Sequence, residues 1–148
     1  MGATVVAMSD SNGYVVDENG IDFRIIQQIK EQKRERISTY PNYVPTAKYV
    51  EGCASIWSVP CDIAMPCATQ NEIDTDSAKL LVSNGCKAVF EGSNMPCTPE
   101  AIQAIKASGL LYSPSKASNA GGVAVSGLEM SQNSERLYWT FEAVDAKL

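Results

Sequence analysis

Four short polar segments of this 148-residue chain carry side chains that could hold a sugar, an amide or a phosphate group. They span residues 9–13, 66–72, 91–96 and 113–122, and each is rich in Asn, Ser, Thr or Gly. The first contains Ser9 and Asp10, whose hydroxyl and carboxylate suit hydrogen bonding to an adenosine ribose. On pattern alone, an aspartate that simply begins a turn before Asn12 and Gly13 is the favoured interpretation.

Basic side chains follow this first segment. They are Lys30, Lys33, Arg34 and Arg36. If they lie near Asp10, they could pair with a phosphate on the 2′ position of the ribose. Cations late in a helix also stabilise the helix dipole, and this second interpretation carries most of the weight.

The other three segments carry amides and hydroxyls but few charges. Thr69 and Gln70 follow a buried run and could fix a ribose or a carboxamide, although an Asn and Thr turn explains them equally simply. Asn94 lies in a tight loop, where asparagine also tolerates unusual backbone angles. Asn119 precedes two glycines and a predicted helix that includes Ser126, so backbone N–H groups there could face a polar ligand; a flexible start to the helix is the alternative.

Composition excludes several kinds of chemistry. The chain has no histidine, which removes imidazole metal ligands and every Ser-His or Cys-His nucleophile pair. Its five cysteines show no CxxC spacing, so we expect no metal site and no disulfide framework, and we interpret Cys61 and Cys67 as small buried hydrophobes. The net charge of −5 argues against nucleic acid as a partner. Because neither a signal peptide nor a long apolar span is present, we expect a soluble, cytoplasmic protein with no membrane partner.

The four polar segments lie between short apolar runs, typical of strands, and stretches with the apolar periodicity of helices. These elements must position the segments. Strands are predicted at residues 4–9, 47–50, 62–68, 87–91 and 110–112. Helices are predicted at residues 22–37, 77–84 and 98–108, then from 123 onward and after Thr140, with a loop at 114–122. Thr98 and Pro99 form a strong helix start, and Gly85 and Gly109 are suited to end helices. The alternation predicts an α/β fold whose mostly parallel sheet brings the four polar segments to one edge.

The four segments together resemble the hexameric glutamate dehydrogenases of bacteria and lower eukaryotes. The resemblance rests on SDSNGY at 9–14, PCDIAMPCATQNE at 60–72, GCKAVFEGSNMP at 85–96 and SKASNAGGVAVSGLEMSQNSERLYWT at 115–140. It covers nearly the whole chain and implies a partial dinucleotide-binding domain over residues 1–148, with a Rossmann-like doubly wound sheet. It also implies the reversible conversion of L-glutamate to 2-oxoglutarate and ammonia in a cytoplasmic homohexamer, with hydride transfer to or from NADP(H).

The resemblance also implies a role for particular residues. Cofactor contacts would come from Ser9, Asp10, Lys30, Lys33, Ala68, Thr69, Gln70, Asn94 and Asn119. The first two would approach the adenosine ribose, and the two asparagines would hold the nicotinamide half. Val123 and Ser126 would shape the glutamate pocket, with the serine hydroxyl bonding the side-chain carboxylate of the substrate. The SDS sequence with nearby lysines resembles the NADP-using members, with NAD as the less favoured cofactor.

Departures from the family pattern predict that the sheet is incomplete. The first strand with its G-x-G-x-x-G turn is missing from the sequence, as is the domain that carries the catalytic lysine and aspartate, so we expect no catalytic residue here and no activity from the chain alone. We expect the strand at 4–9 either to pair directly with the strand at 62–66 or to be separated from it by a gap. Ser93, Ser115 and Ser118 replace the usual small residues. The alternatives are another amino-acid dehydrogenase of the superfamily or a non-catalytic nucleotide-binding fragment.

Overall fold

In the computed structural model, which describes residues 2–148, the first part of the chain folds around a three-stranded antiparallel sheet. Strand β1 (Ala7–Ser9) pairs with β2 (Gly13–Val16), which pairs in turn with β3 (Lys48–Glu51). The second half of the predicted strand at 4–9 and the turn that follows it are therefore present, whereas residues 4–6 are not in a strand. Strand β2 was not predicted, because its four residues lie between two turn clusters and were assigned to the connection.

A short helix covers this first sheet. Helix α1 (Phe23–Gln27) continues into one π-helical turn (Gln28–Gln32), and a 3-10 helix (Ile37–Asn42) follows. Two isoleucines of this segment, Ile26 and Ile29, are buried. The predicted helix over 22–37 is too long, because Arg34 adopts a left-handed backbone conformation with φ of 55° that no helix can continue. The core of this region consists of Val15, Ile26, Ile29, Ile37, Tyr40 and Ala47.

The second sheet is parallel throughout. Its strands are β4 (Ile63–Ala64), β5 (Ala88–Phe90) and β6 (Leu111–Ser113), and they are adjacent in that order. Helices α2 (Thr75–Ser83) and α3 (Pro99–Ala107) connect them. The buried core includes Trp57 from a 3-10 helix (Ala54–Ser58), with Ile73, Ala78, Leu81, Val89, Ala101 and Ile105.

The predicted ends of these two helices are confirmed. The side chain of Thr98 accepts a hydrogen bond from Ala101 N and caps α3, as Asp74 caps α2 through Ser77 N. Gly85 and Gly109 follow the helices with φ of 79° and 82°, the left-handed conformation that glycine adopts without steric penalty.

Most of the remaining residues are helical. They form α4 (Ser115–Ser118), α5 (Ala120–Glu135) and α6 (Phe141–Asp145). The predicted loop at 114–122 is wrong, because α4 and the start of α5 fill it. Helix α6 begins after Thr140 as predicted, and the Thr140 hydroxyl accepts from Ala143 N. Within residues 2–148 no helix is long and apolar enough to cross a membrane.

The fold class is confirmed as mixed α/β, with a small parallel sheet and helices. The prediction for the junction is resolved in favour of a gap, because no described residue of β1 pairs with β4 and the six strands form two separate sheets. The antiparallel arrangement of the first three strands corrects the expectation of one mostly parallel sheet. Consequently the loop after β1 belongs to a different sheet from the loops after β4, β5 and β6.

Candidate functional site

Asp10 is the centre of a hydrogen-bonded cluster at the end of β1, just after Ser9. Its carboxylate accepts from Asn12 N at 3.1 Å and Ile37 N at 3.1 Å, and Lys30 Nζ lies 3.3 Å away. Burial raises the pKa of Asp10, but the hydrogen bonds from Ile37 and Asn12 and the Lys30 ammonium outweigh this effect and leave the pKa below its usual value. The predicted proximity of Lys30 and Asp10 is therefore present, with the carboxylate held in its charged form.

The other basic residues separate into two places. Arg36 Nη1 donates to the hydroxyl of Ser11 at 2.7 Å, so this guanidinium lies directly on the turn that Asp10 begins. Lys33 instead contacts the hydroxyl of Tyr43, with its ammonium 5.0 Å from the ring centre. This hydrogen bond raises the pKa of Lys33. Arg36 was among the cations that could lie near Asp10, and it does reach the adjacent Ser11, a residue that the sequence alone did not single out.

An open cavity of about 520 Å³ lies beside this cluster. Its lining residues are Lys30, Glu31, Arg34, Glu35 and Arg36. Three cations and two carboxylates give the lining an excess positive charge, which suits an anionic group of small size. The left-handed Arg34 turns the chain here, so that the residues after it run back toward the turn after β1.

The loop after β4 presents backbone amides to a carboxylate. Ala68 N donates to Glu72 Oε2 at 3.1 Å and Thr69 N donates to the same oxygen at 3.4 Å. The side chains of Thr69 and Gln70 are exposed. Sequence reasoning missed Glu72, whose role depends on the loop folding back on itself.

The loop after β5 packs closely against the loop after β4. Gly92 N and Ser93 N donate to Pro66 O at 3.0 and 3.1 Å. A Cβ atom on Gly92 would lie 2.5 Å from the sulfur of Cys67, so the approach requires glycine. Asn94 follows with an exposed side chain that makes no hydrogen bond to any of residues 2–148.

Asn119 joins the third loop to the second. Its Nδ2 group lies 3.3 Å from Gly92 O and 3.4 Å from Ser93 O, so the carboxamide bridges α4 and the loop that carries Asn94. In the opposite direction, Oε2 of the buried Glu91 accepts from Ser115 N at 2.8 Å. Three of the four predicted loops thus meet at the carboxyl ends of the parallel strands, and two predicted residues, Asn94 and Asn119, lie at this junction.

Val123 and Ser126 occupy neighbouring positions on α5, one turn apart. Both are exposed, and Val123 is 73% accessible. No residue of α5 is buried. Within residues 2–148, this face of α5 is therefore exposed to solvent. The predicted contact of Val123 and Ser126 with substrate stays a prediction.

The cysteines show no arrangement for nucleophilic chemistry. Burial raises the pKa of Cys61 to about 11 and also raises that of Cys67, with Glu72 adding to the effect. The interpretation of Cys67 as a buried residue is wrong, because its side chain lies exposed beside Gly92. Among residues 2–148 no group of three or more Cys, Asp or Glu side chains is placed to hold a metal ion.

Loops that meet beyond the carboxyl ends of parallel strands are the usual ligand-binding position of α/β proteins. The junction offers amides and backbone groups, and the turn after β1 offers an anion-binding arrangement. Together the fold and these two places are typical of α/β proteins that bind a nucleotide.

Comparison with known proteins assigns the family. The model of the glutamate/leucine/phenylalanine/valine dehydrogenases matches residues 1–148, and the chain belongs to this family. The chain is 49% identical over 154 residues to the NADP-specific glutamate dehydrogenase of Helicobacter pylori J99, and 54% identical over 151 residues to the NAD(P)-specific glutamate dehydrogenase of Xylanibacter ruminicola. These alignments cover 100% of the chain and 34% of each relative, so the chain spans about a third of their length.

A solved structure shows the same arrangement. The glutamate dehydrogenase of Plasmodium falciparum superimposes with a TM-score of 0.85 and 51% sequence identity, over 97% of this chain and 31% of that one. The resemblance drawn from the four segments is therefore confirmed at the level of the family.

Proposed function

We propose that residues 1–148 form a partial dinucleotide-binding domain of a glutamate dehydrogenase that uses NADP(H). The observation that carries this proposal is the junction of three strand-end loops at Asn119, with the free carboxamide of Asn94 beside it. The relatives that match the whole chain at about half identity are named glutamate dehydrogenases.

The nicotinamide half of the cofactor fits the junction in chemical terms. Its carboxamide and ribose are uncharged, and the exposed groups of Thr69, Gln70 and Asn94 donate and accept hydrogen bonds without adding charge. Because Gly92 has no side chain, the two loops that carry these groups pack closely against each other.

The adenosine half fits the turn after β1. Ser9 and Asp10 would meet the ribose, and Lys30 and Arg36 are close enough to that turn to attract a 2′-phosphate. Asp10 alone would favour an unphosphorylated ribose, but its charge is balanced by Lys30. We therefore propose NADP(H) as the preferred cofactor, with Lys33 contributing only through the general positive field around this turn.

The cofactor, when bound, supplies the hydride chemistry of glutamate oxidation. This chain would bind and orient it, and Val123 and Ser126 would contribute to the glutamate pocket from α5. In the longer enzyme we propose L-glutamate, 2-oxoglutarate and ammonia as reactants and a homohexamer as the assembly. The hydroxyl of Ser126 suits a substrate carboxylate, which favours glutamate over an apolar amino acid as substrate.

Asn94→Ala tests the proposal at the junction. In a titration followed by nicotinamide fluorescence, the wild-type chain should bind NADPH saturably and the variant about tenfold more weakly, as expected for a lost amide contact. Asn133→Ala is the matched control, because Asn133 is an exposed asparagine on α5. Equal NADPH affinity of the Asn94→Ala variant and the wild type would contradict the assignment of Asn94.

A further inference from the structure

Glu91 is a buried acidic residue that makes none of the proposed cofactor contacts. It follows β5, is 2% exposed, and reaches from there to the start of α4, where its Oε2 accepts from Ser115 N at 2.8 Å. Its second oxygen, Oε1, is buried and has no hydrogen-bond partner among residues 2–148. A buried carboxylate with one unpaired oxygen destabilises a fold, so its presence calls for an explanation.

The surroundings of Glu91 are polar without being basic. Its carboxylate lies beside the thiol of Cys97 and the phenol of Tyr112. Burial raises the pKa of Cys97 to about 12 and also raises that of Tyr112, and in both cases hydrogen bonding to Glu91 and the charge of Glu91 add to the effect. Both neighbours therefore stay protonated near neutral pH, and neither neutralises the carboxylate.

Helix α4 depends on contacts from outside itself. It has only four residues, too few for a helix that is stable on its own. Pro114 precedes it and offers no side-chain cap, so the first N–H of the helix, on Ser115, has Glu91 as its partner. At the other end, Asn119 bonds back to Gly92 O and Ser93 O. The helix is thus attached at both ends to residues 91–93.

We propose that Glu91 is a positioning residue, whose buried carboxylate fixes α4 and thereby holds Asn119 against the loop that carries Asn94. The inference rests on the proposed function, because the positioned groups are those assigned to the nicotinamide half. Glu91 itself would touch neither cofactor nor substrate. Its bond to Ser115 would set the distance between two loops that must hold one flat ring between them.

Three variants of the whole chain separate this role from general stability. Glu91→Ala removes the acceptor, and Glu91→Gln keeps an oxygen that can accept from Ser115. Ser115→Pro removes the donor N–H together with the serine hydroxyl, and proline is well tolerated at the first position of a helix. Pro114 already has extended backbone angles, φ −69° and ψ 155°, as a residue before proline requires.

The first readout is amide hydrogen exchange and needs no ligand. Glu91→Ala and Ser115→Pro should speed exchange of the Ser118 and Asn119 amides about tenfold, whereas the amides of α2 should be unchanged and Glu91→Gln should resemble the wild type. The second readout compares NADPH with adenosine 2′,5′-bisphosphate, which lacks the nicotinamide half. Glu91→Ala should weaken NADPH binding about tenfold and leave bisphosphate binding unchanged. Glu91→Gln should bind NADPH as tightly as the wild type does.

Unchanged exchange at Ser118 and Asn119 in Glu91→Ala would overturn the inference. Equal losses in α4 and α2 would also overturn it, since they indicate a general role in folding, as would an unfolded Ser115→Pro chain. Equal weakening of NADPH binding and bisphosphate binding in Glu91→Ala would also overturn the inference. Failure of the wild-type chain to bind NADPH would instead contradict the proposed function, while the exchange result would still decide the role of Glu91.

Discussion

The loop after β1 is held mainly by charged side chains, whereas the loops after β4, β5 and β6 are held mostly by hydrogen bonds that include a backbone group. Asp10 is bound by Lys30, and Arg36 reaches Ser11 from 25 residues away. In the second region, by contrast, Gly92 N donates to Pro66 O and other bonds of this kind join the three loops. The two proposed halves of the site should therefore respond to different perturbations, the first to pH and salt and the second to packing.

The largest loss of stability is expected from a substitution in the core that packs against the parallel sheet. Leu81→Ala should lower the free energy of unfolding by about 3 kcal/mol, because the side chain is 1% exposed and its removal leaves a cavity. Leu80→Ala, on the exposed side of the same helix, should change it by less than about 1 kcal/mol. Urea denaturation gives both values. If Leu81→Ala speeds amide hydrogen exchange at Val15 in the first region as much as at Val89 in the second, the two regions unfold as one unit. The distinction between them then fails.

Close packing at Gly92 gives the next effect. Gly92→Ala should lower stability by about 1–3 kcal/mol, because the new Cβ would overlap the sulfur of Cys67. Adding Cys67→Ala should recover part of the loss, since the sulfur is the nearest atom. Gly121→Ala in α5 has open space around it and should stabilise the chain by up to about 1 kcal/mol. A Gly92→Ala chain as stable as the wild type would show that the loops can separate without penalty.

Asp10 should make the first region sensitive to pH. Since its pKa is lower in the folded chain than in the unfolded chain, its contribution is complete above about pH 4 and is lost as the pH falls through the folded-state value. Asp10→Asn should therefore destabilise by about 1 kcal/mol at pH 7 and by progressively less in acid. Asp76→Asn is the control, because that carboxylate is 87% exposed. Parallel pH curves for Asp10→Asn and the wild type would refute the role of the ionised carboxylate.

The smallest effect concerns discrimination between cofactors. Lys30→Ala should reduce the ratio of NADPH to NADH affinity about fivefold at low salt and less at high salt, because the ammonium is partly exposed and screened. Lys79→Ala removes a lysine whose ion pair lies on the surface of α2 and should leave the ratio unchanged. If the ratio of NADPH to NADH affinity is the same in Lys30→Ala and Lys79→Ala, Lys30 does not contact the phosphate.

Local signals in the sequence were sufficient for the ends of helices α2 and α3. The hydroxyl of Thr98 and the glycines at 85 and 109 act within a few residues, so their effects on α2 and α3 could be predicted. The first region was harder, because Arg34 ends the helix through a backbone conformation that its residue type does not announce. Strand β2 was missed for a similar reason, being only four residues long and bordered by turns.

The positions of the site residues could be predicted only in part. The four segments were found from composition and resemblance, and the meeting of Asn94 and Asn119 follows from parallel strands ending at one edge. The bonds that hold the segments in place join residues 24–27 positions apart, as from Glu91 to Ser115 and from Asn119 to Gly92. Such pairs leave no periodic signal, because each depends on the tertiary path of a loop.

Titration of the purified chain with NADPH and NADH tests the central claim most directly. Nicotinamide fluorescence reports binding, and circular dichroism recorded on the same samples establishes that the chain is folded. Saturable binding that is tighter for NADPH than for NADH is the predicted result, since the junction would serve both cofactors and the Lys30 and Arg36 cluster only the phosphorylated one. A folded chain that binds neither nucleotide would contradict the account.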